Sequence, residues 1–433
     1  MVRYKQPFLF GNINTSNNSL LISLYVLKLK NMRIVEKYST ANFLLLVGAL
    51  LLGVVFYDYI DQQTGFSYID EIFAFLLLLT WVIRGDKSVK AKEFLFFSLI
   101  ALFYLIKSLL YPLNVSKAIW IDFIIETKPF IAFYCAYNLD LNITEKQKKI
   151  ICRLCIIIAL GLLPLGIVGF GGGEKMAVFC LHSRFCTMCE CLGVTYFIFS
   201  KRDKRSLLIA SLMIALGICA MRSKIFGFLA LWLGIMYIWK IDMRRFFRMK
   251  TIVSMVVILF GVIYVAWEKI VFYFITGTEN SENLYARPAL YLGMVNILKD
   301  HPVLGSGFGT YACWASRIFY SPLYYDYGLS NIYGLSPDVP NFINDAFYPL
   351  LCQFGLIGII LYINFWRLRF IEAKRSLYKI GDVYGFKLVL LFIGFFIIES
   401  TSDTTFTHNR GMYMLIMLTL VLKDLQTRRN DVK

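Results

Sequence analysis

Charge is scarce in this chain. Asp, Glu, Lys and Arg make up 17% of its 433 residues and hydrophobic residues 58%, whereas soluble domains carry about 25% charged and roughly 45–50% apolar residues. That balance excludes an ordinary water-soluble domain. A disulfide framework is excluded as well, because the ten cysteines are scattered through apolar stretches instead of gathering in loops. The densest cysteine patch, "CLHSRFCTMCEC", holds Cys180, His182, Cys186, Cys189 and Cys191. Its side chains are of a soft-metal type, but it falls in an apolar run where cysteine serves as a small filler, so neither a metal nor a cofactor is expected. Internal repeat halves of the kind that mark transporters are not evident. The first 31 residues include the short run "LLISLYVLKLK" and lack a small-residue cleavage site; Met32 is an alternative start.

What the sequence has instead is apolar length. Crossing a bilayer core of about 30 Å takes about 20 mostly apolar helical residues, and such runs fall near 41–57, 69–83, 94–110, 118–137, 150–170, 177–200, 207–221, 224–240, 251–275, 345–366, 386–402 and 411–423. The net charge of +17 would suggest nucleic acid in a soluble protein, but here the cations are sorted by side. They cluster in every second connection, in "RGDKSVKAK", "EKQKK", "KRDKR", "KIDMRRFFRMK", "RLRFIEAKRSLYK" and the tail "KDLQTRRNDVK". Cation-rich short loops stay cytoplasmic, so twelve spans with both termini inside satisfy the pattern, and no nucleic-acid partner is needed to explain the charge. The expectation is an all-α polytopic membrane protein. Its parts are a cytoplasmic segment 1–40, nine spans over 41–275, a large outer loop 276–344, three spans over 345–423 and a cytoplasmic tail 424–433.

The outer loop is far longer than the roughly 15 residues at which loops become functional or disordered, and its aromatic content argues for folding. Within it "ENLYARPALYLGMVNILKDHP" reads as a helix of about three turns that Pro288 opens and Pro302 ends. Arg287 then stands at a helix entrance. "DHPVLGSGFGTY" follows, with Gly305, Gly307 and Gly309 at alternate positions. No strand precedes it, so it is not a dinucleotide fingerprint; the glycines free the backbone for positive φ and close approach. In the fourth run, "WIDFIIETKPFIAF" places Asp122 and Glu126 on one face, with Lys128 and the helix-kinking Pro129 beyond. An internal Glu–Lys pairing and a polar lining for a groove both fit. His182 and Arg184, near the outer end of the sixth run, are candidates for the same cavity.

Taken together, "R-x14-P-V-L-G-S-G-F-G-x-Y" from Arg287, "NDAFYPLLCQFGLIGIILY" from Asn344 and "CAMRSKIFGFLAL" around Arg222 resemble the O-antigen polymerase and O-antigen ligase superfamily. The likeness in motifs covers roughly residues 215–230 and 285–362. It implies a GT-C-like membrane glycosyltransferase of the bacterial inner membrane with its large loop in the periplasm. The substrates it implies are a polyprenyl-diphosphate-linked oligosaccharide donor and acceptor, and a chain-length regulator and a flippase are expected partners. Met221 replaces the serine that precedes the family arginine, and Asn344-Asp345 replaces the ligase His-Asn pair. The second departure favours polymerase over ligase or protein O-oligosaccharyltransferase. A lipid-linked sugar flippase is the alternative from another class.

On this reading Arg222 and Arg287 meet the departing diphosphate, since a guanidinium fork suits phosphate oxygens. Asp345 is the candidate base, with a helix-start charge as its plainer role. Gly305, Gly307, Gly309 and His301 are candidate substrate-binding positions, and His408 is placed on the same outer surface. The topology yields a direct expectation. Phosphatase fused near residue 320 is active and near residue 245 inactive; the reverse pattern would overturn the sidedness.

Overall fold

In the computed structural model the described residues are 39–84, 90–139, 143–170, 178–239 and 285–431, with a few isolated positions between. Every regular element among them is helical. In chain order these are α1 (Ser39–Val55), α2 (Tyr57–Thr64), α3 (Ile69–Arg84), α4 (Ala91–Leu110), α5 (Ser116–Asn138), α6 (Glu145–Val168), α7 (His182–Phe199), α8 (Lys204–Ala215) and α9 (Ser223–Leu233). They continue with α10 (Ala286–Asp300), α11 (Trp314–Ile318), α12 (Leu323–Asp326), α13 (Phe347–Leu350), α14 (Gly355–Ile380), α15 (Val383–Glu399) and α16 (Asn409–Asp431).

Among the described residues three segments are long and apolar enough to cross a membrane, Ala91–Leu110, Glu145–Val168 and Phe347–Ile380; a fourth is added if α1 and α2, bent by 62°, form one broken span. The other expected runs fold as helices that are shorter or more polar, apart from 251–275, which lies almost wholly outside the described residues. Length and apolarity therefore account for fewer spans than the twelve expected. The N-terminal segment and the first residues of the outer loop also lie outside the described residues.

Burial sorts the helices. On α4 and α6 the residues Leu95, Leu99, Phe103, Ile157, Leu160 and Ile167 are exposed, making apolar faces that a bilayer would cover. By contrast α7, α16 and the second half of α5 are packed on nearly all sides. Charges in these inner helices find partners far along the chain. Lys128 reaches Asp70 at 2.5 Å and Glu71 at 2.6 Å, so the expected pairing with Glu126 does not form. Asp58, after the bend, takes Arg184 at 2.5 Å and Arg410 at 2.6 Å. Cys180, Cys186, Cys189 and Cys191 are free and fully buried.

The long loop, from residue 285 on, is folded around its own aromatics, as its composition implied. Tyr311 and Tyr324 stack with ring centroids 5.4 Å apart, and the Tyr311 hydroxyl donates to the Leu290 carbonyl at 2.9 Å. The expected helix is α10, which begins two residues before Pro288. Pro288 still lies in the first turn, where a missing N–H costs no helix bond.

The glycine turn leads into the bundle. Leu356 and Ile357, at the start of α14, donate their N–H groups to the carbonyls of Pro302 (2.9 Å) and Val303 (3.3 Å), and Gly307 donates to the Gln353 carbonyl at 2.8 Å. Gly305, Gly307 and Gly309 all have positive φ, at 66°, 100° and 73°. A Cβ on Gly305 would collide with the backbone of Cys352 and Gln353, and one on Gly355 with the backbone of Val303 and Gly305. The two glycine motifs thus meet backbone to backbone.

This generates a paired expectation. Gly305→Ala combines the strain of positive φ, about 1–3 kcal/mol, with a backbone collision, whereas Gly328→Ala has positive φ but open space around its Cβ. Gly305→Ala lowers the melting temperature of the detergent-solubilised protein more than Gly328→Ala does. Equal shifts would mean that the junction yields.

Candidate functional site

The chain leaving the glycine junction in each direction arrives at one place. α10 runs back from the turn to Arg287, and the segment preceding α13 carries Asp345. Their side chains form an ion pair between Arg287 Nη2 and Asp345 Oδ2, with side chains 19% and 33% exposed. An arginine left to snorkel into headgroups would not be held in this way. Burial pushes the Asp345 carboxyl up from its ordinary value, Arg287 pulls it back and Asp403 adds to the rise.

Behind this pair lies a polar network that the sequence reading missed. Lys224 Nζ donates to Glu399 at 2.7 Å, Thr187 at 3.0 Å and Asp403 at 3.2 Å. Asp403 also accepts from Ser183 at 3.0 Å. Burial alone would raise Asp403, but Lys224 and Arg184 hold it well below the usual carboxylate range. Burial brings His408 down to about 4 against the opposing pull of Asp403, so its ring is neutral near pH 7. The ring Nε2 lies 3.0 Å from the Thr404 hydroxyl, which donates to the Asn344 carbonyl at 3.3 Å. His408 therefore does face this region, linked to the residue beside Asp345. Phe347 N donates to the Ser400 carbonyl and the Tyr291 hydroxyl to the Thr401 carbonyl at 3.1 Å, fastening α13 and α10 to the loop after α15.

Arg222 is exposed and precedes α9 as its extended N-cap residue. Met221, immediately before it, has φ of 50°, a conformation that is uncommon for a side-chain-bearing residue. Two residues on, buried Lys224 reaches Asp403 at 3.2 Å, in the loop whose Thr404 hydroxyl donates to the carbonyl of Asn344, next to Asp345. This joins the "CAMRSK" segment to the Arg287–Asp345 pair. The signal was present in the sequence as a lysine beside a singled-out arginine and as acids in "IIESTSD", but neither stretch identifies its partner.

The remaining candidates lie elsewhere. Gly305, Gly307 and Gly309 are buried and their surroundings are protein. Gly309 N donates to Asp122 at 2.7 Å, Phe308 N to the Ser108 hydroxyl at 3.0 Å, and Lys107 Nζ to the Gly305 carbonyl at 2.6 Å. His301 caps the C-terminus of α10, its N–H donating to Ile297 and its carbonyl accepting from Gly305. Asp122 also accepts from Gln353 at 3.2 Å, so it anchors the turn. Glu126 instead lines a cavity of about 180 Å³ among α4, α5 and α14, with Phe97, Tyr104, Phe130 and Phe365. Arg184 turns to Asp58 and does not join that cavity. Among the described residues no group of His, Cys, Asp and Glu is arranged to hold a metal ion.

Residues 207–363, a little over a third of the chain, match the family model described as O-antigen ligase. No curated protein matches. The matched segment contains Arg222, Lys224, Arg287, the glycine turn, Asp345 and the start of α14, while Glu399, Asp403 and His408 lie beyond it. That segment, which carries both members of the ion pair and the junction that brings them together, is similar to the O-antigen ligase family.

Proposed function

We propose that the protein polymerises oligosaccharide repeat units carried on a polyprenyl diphosphate at the periplasmic face of the inner membrane, without a metal. The observation that carries this reading is the Arg287–Asp345 ion pair, a guanidinium whose fork suits phosphate oxygens held beside a carboxylate. When the donor arrives, its diphosphate competes for the Arg287 guanidinium and frees the Asp345 carboxylate. An acceptor hydroxyl then attacks the anomeric carbon of the donor sugar. Its proton passes to Asp345, the bond from that carbon to the diphosphate oxygen breaks, and the electron pair leaves with the diphosphate. Arg287 and Arg222 meet the charge that develops there, the task that oriented cations perform in a transition state. Lys224, with Glu399 and Asp403, holds the framework behind them. Gly305, Gly307, Gly309 and His301 act by shaping the turn.

Transfer of a finished polymer to a different acceptor is the second reading, favoured by the description of the matched family as a ligase. Asn344-Asp345, in place of the His-Asn pair that the resemblance associates with ligases, favours polymerisation.

A deletion strain separates the two: loss of a polymerase leaves surface lipid capped by a single repeat, and loss of a ligase leaves polymer on the carrier. In that strain Asp345→Asn, Arg287→Ala and Arg287→Lys, at matched membrane levels, each fail to restore long chains, because an ammonium does not reproduce a two-pronged contact. Normal chains from Arg287→Lys and Asp345→Asn would sink the reading. The rate also has a signed pH dependence. The base form of Asp345 exists only above its raised pKa, so the acid limb lies above the ordinary Asp value of about 3.9. Removing the cation in Arg287→Ala shifts that limb further up in the residual activity; a downward shift would contradict the assignment.

A further inference from the structure

Three residues before Asp345 the outer loop presents two aromatic rings to solvent. Tyr333 is 75% exposed and Phe342 42%, and their ring centroids are 6.5 Å apart with planes at 62°. They are not on a loose tip. Phe342 N donates to the Gly334 carbonyl at 2.9 Å and the Asp345 N to the Phe342 carbonyl at 3.3 Å. Leu335 and Ile343, next to the pair in sequence, are fully buried, and the Leu335 carbonyl accepts from the Tyr320 hydroxyl at 2.7 Å. Gly334 has φ of 89°, and a Cβ there would strike the Phe342 ring. The stem is fixed and the rings point outward.

The surroundings indicate what would cover them. Beside the rings, exposed Asn341 accepts from the Arg317 guanidinium at 3.3 Å, so planar polar groups flank an apolar surface. From residue 318 to residue 345 the chain has three acids, Asp326, Asp338 and Asp345, and no Lys or Arg. Such a surface is poorly matched to anionic lipid headgroups. An apolar platform edged by planar hydrogen-bonding groups fits an uncharged pyranose, which offers a C–H face to an aromatic ring and hydroxyls to the rim.

We propose that Tyr333 and Phe342 form the platform on which an uncharged sugar ring of the acceptor stacks, with Asn341 and Arg317 at its rim, delivering the acceptor hydroxyl toward Asp345. This rests on the reading of Asp345 as the group that receives the acceptor. Tyr333 and Phe342 are positioning residues for the acceptor and take no part in bond making.

The test uses the full-length protein in nanodiscs and, as probe, short oligosaccharides released by partial hydrolysis of the producing cell's own surface polysaccharide. Saturation-transfer NMR detects ring protons of the bound sugar. Tyr333→Ala and Phe342→Ala lower the signal about five-fold, Tyr333→Phe retains it, and polymer chains in cells carrying the Ala variants are shorter. Unchanged signals in both Ala variants would overturn the platform. So would brominated lipid quenching the fluorescence of Tyr333→Trp beyond that of the parent protein, since that puts the ring in the bilayer. Asp345→Asn distinguishes the two levels: it binds the oligosaccharide normally yet makes no long chains. If Asp345→Asn polymerises normally, the reaction reading fails while the binding signals still decide the platform.

Discussion

The site depends on a backbone junction. The first N–H groups of a helix have no partner within it, and a buried one left unsatisfied costs about 1–3 kcal/mol. At the start of α14 two of those groups, on Leu356 and Ile357, are satisfied by the carbonyls of Pro302 and Val303, which requires two stretches of main chain to touch where Gly305 and Gly355 lie. The contact closes a loop of the chain. α10 extends from one side of it and the segment containing Asp345 enters from the other, so Arg287 and Asp345, 58 residues apart, come together. Asp122 and Gln353 secure the turn from inside the bundle. The glycines matter by what they allow the backbone to approach.

A second constraint is buried charge. Lys224 and Glu399 have side chains 4% and 0% exposed, and Asp58 is held between two arginines. Removing ions from water costs several kcal/mol each, and a buried pair is seldom retained for stability alone. Ionisable groups inside membrane proteins generally face one another or a functional cavity. Here they gather where α7, α9, α15 and α16 have their ends nearest Asp345, and the loop containing Asp403, Thr404 and His408 links them to Asn344. The result is a stiff electrostatic floor beneath a more exposed ion pair.

Much of the helical plan was legible because apolar runs and helix-opening prolines are local signals. Pro288 located α10 to within two residues of its start, and the aromatic loop folded as its composition implied. Both members of the ion pair were singled out, though for separate tasks and without their contact. Partners across helices were not legible. Lys128 chooses Glu71, 57 residues back, over Glu126 on its own helix, and Lys224 pairs with Glu399, 175 residues on. Nothing in periodicity or composition encodes which distant helix supplies a counter-ion. The glycine pattern revealed a tight turn, present here with positive φ at all three glycines, but not which backbone its tight side meets.

The most direct measurement uses the purified protein in nanodiscs with one substrate, a polyprenyl-diphosphate-linked repeat unit serving as both donor and acceptor. A ladder of products that differ by one repeat, with free polyprenyl diphosphate released at each step, is the predicted result. Recovery of unreacted repeat unit, with transfer appearing only when a different acceptor is added, would contradict polymerisation and assign the same site to ligation.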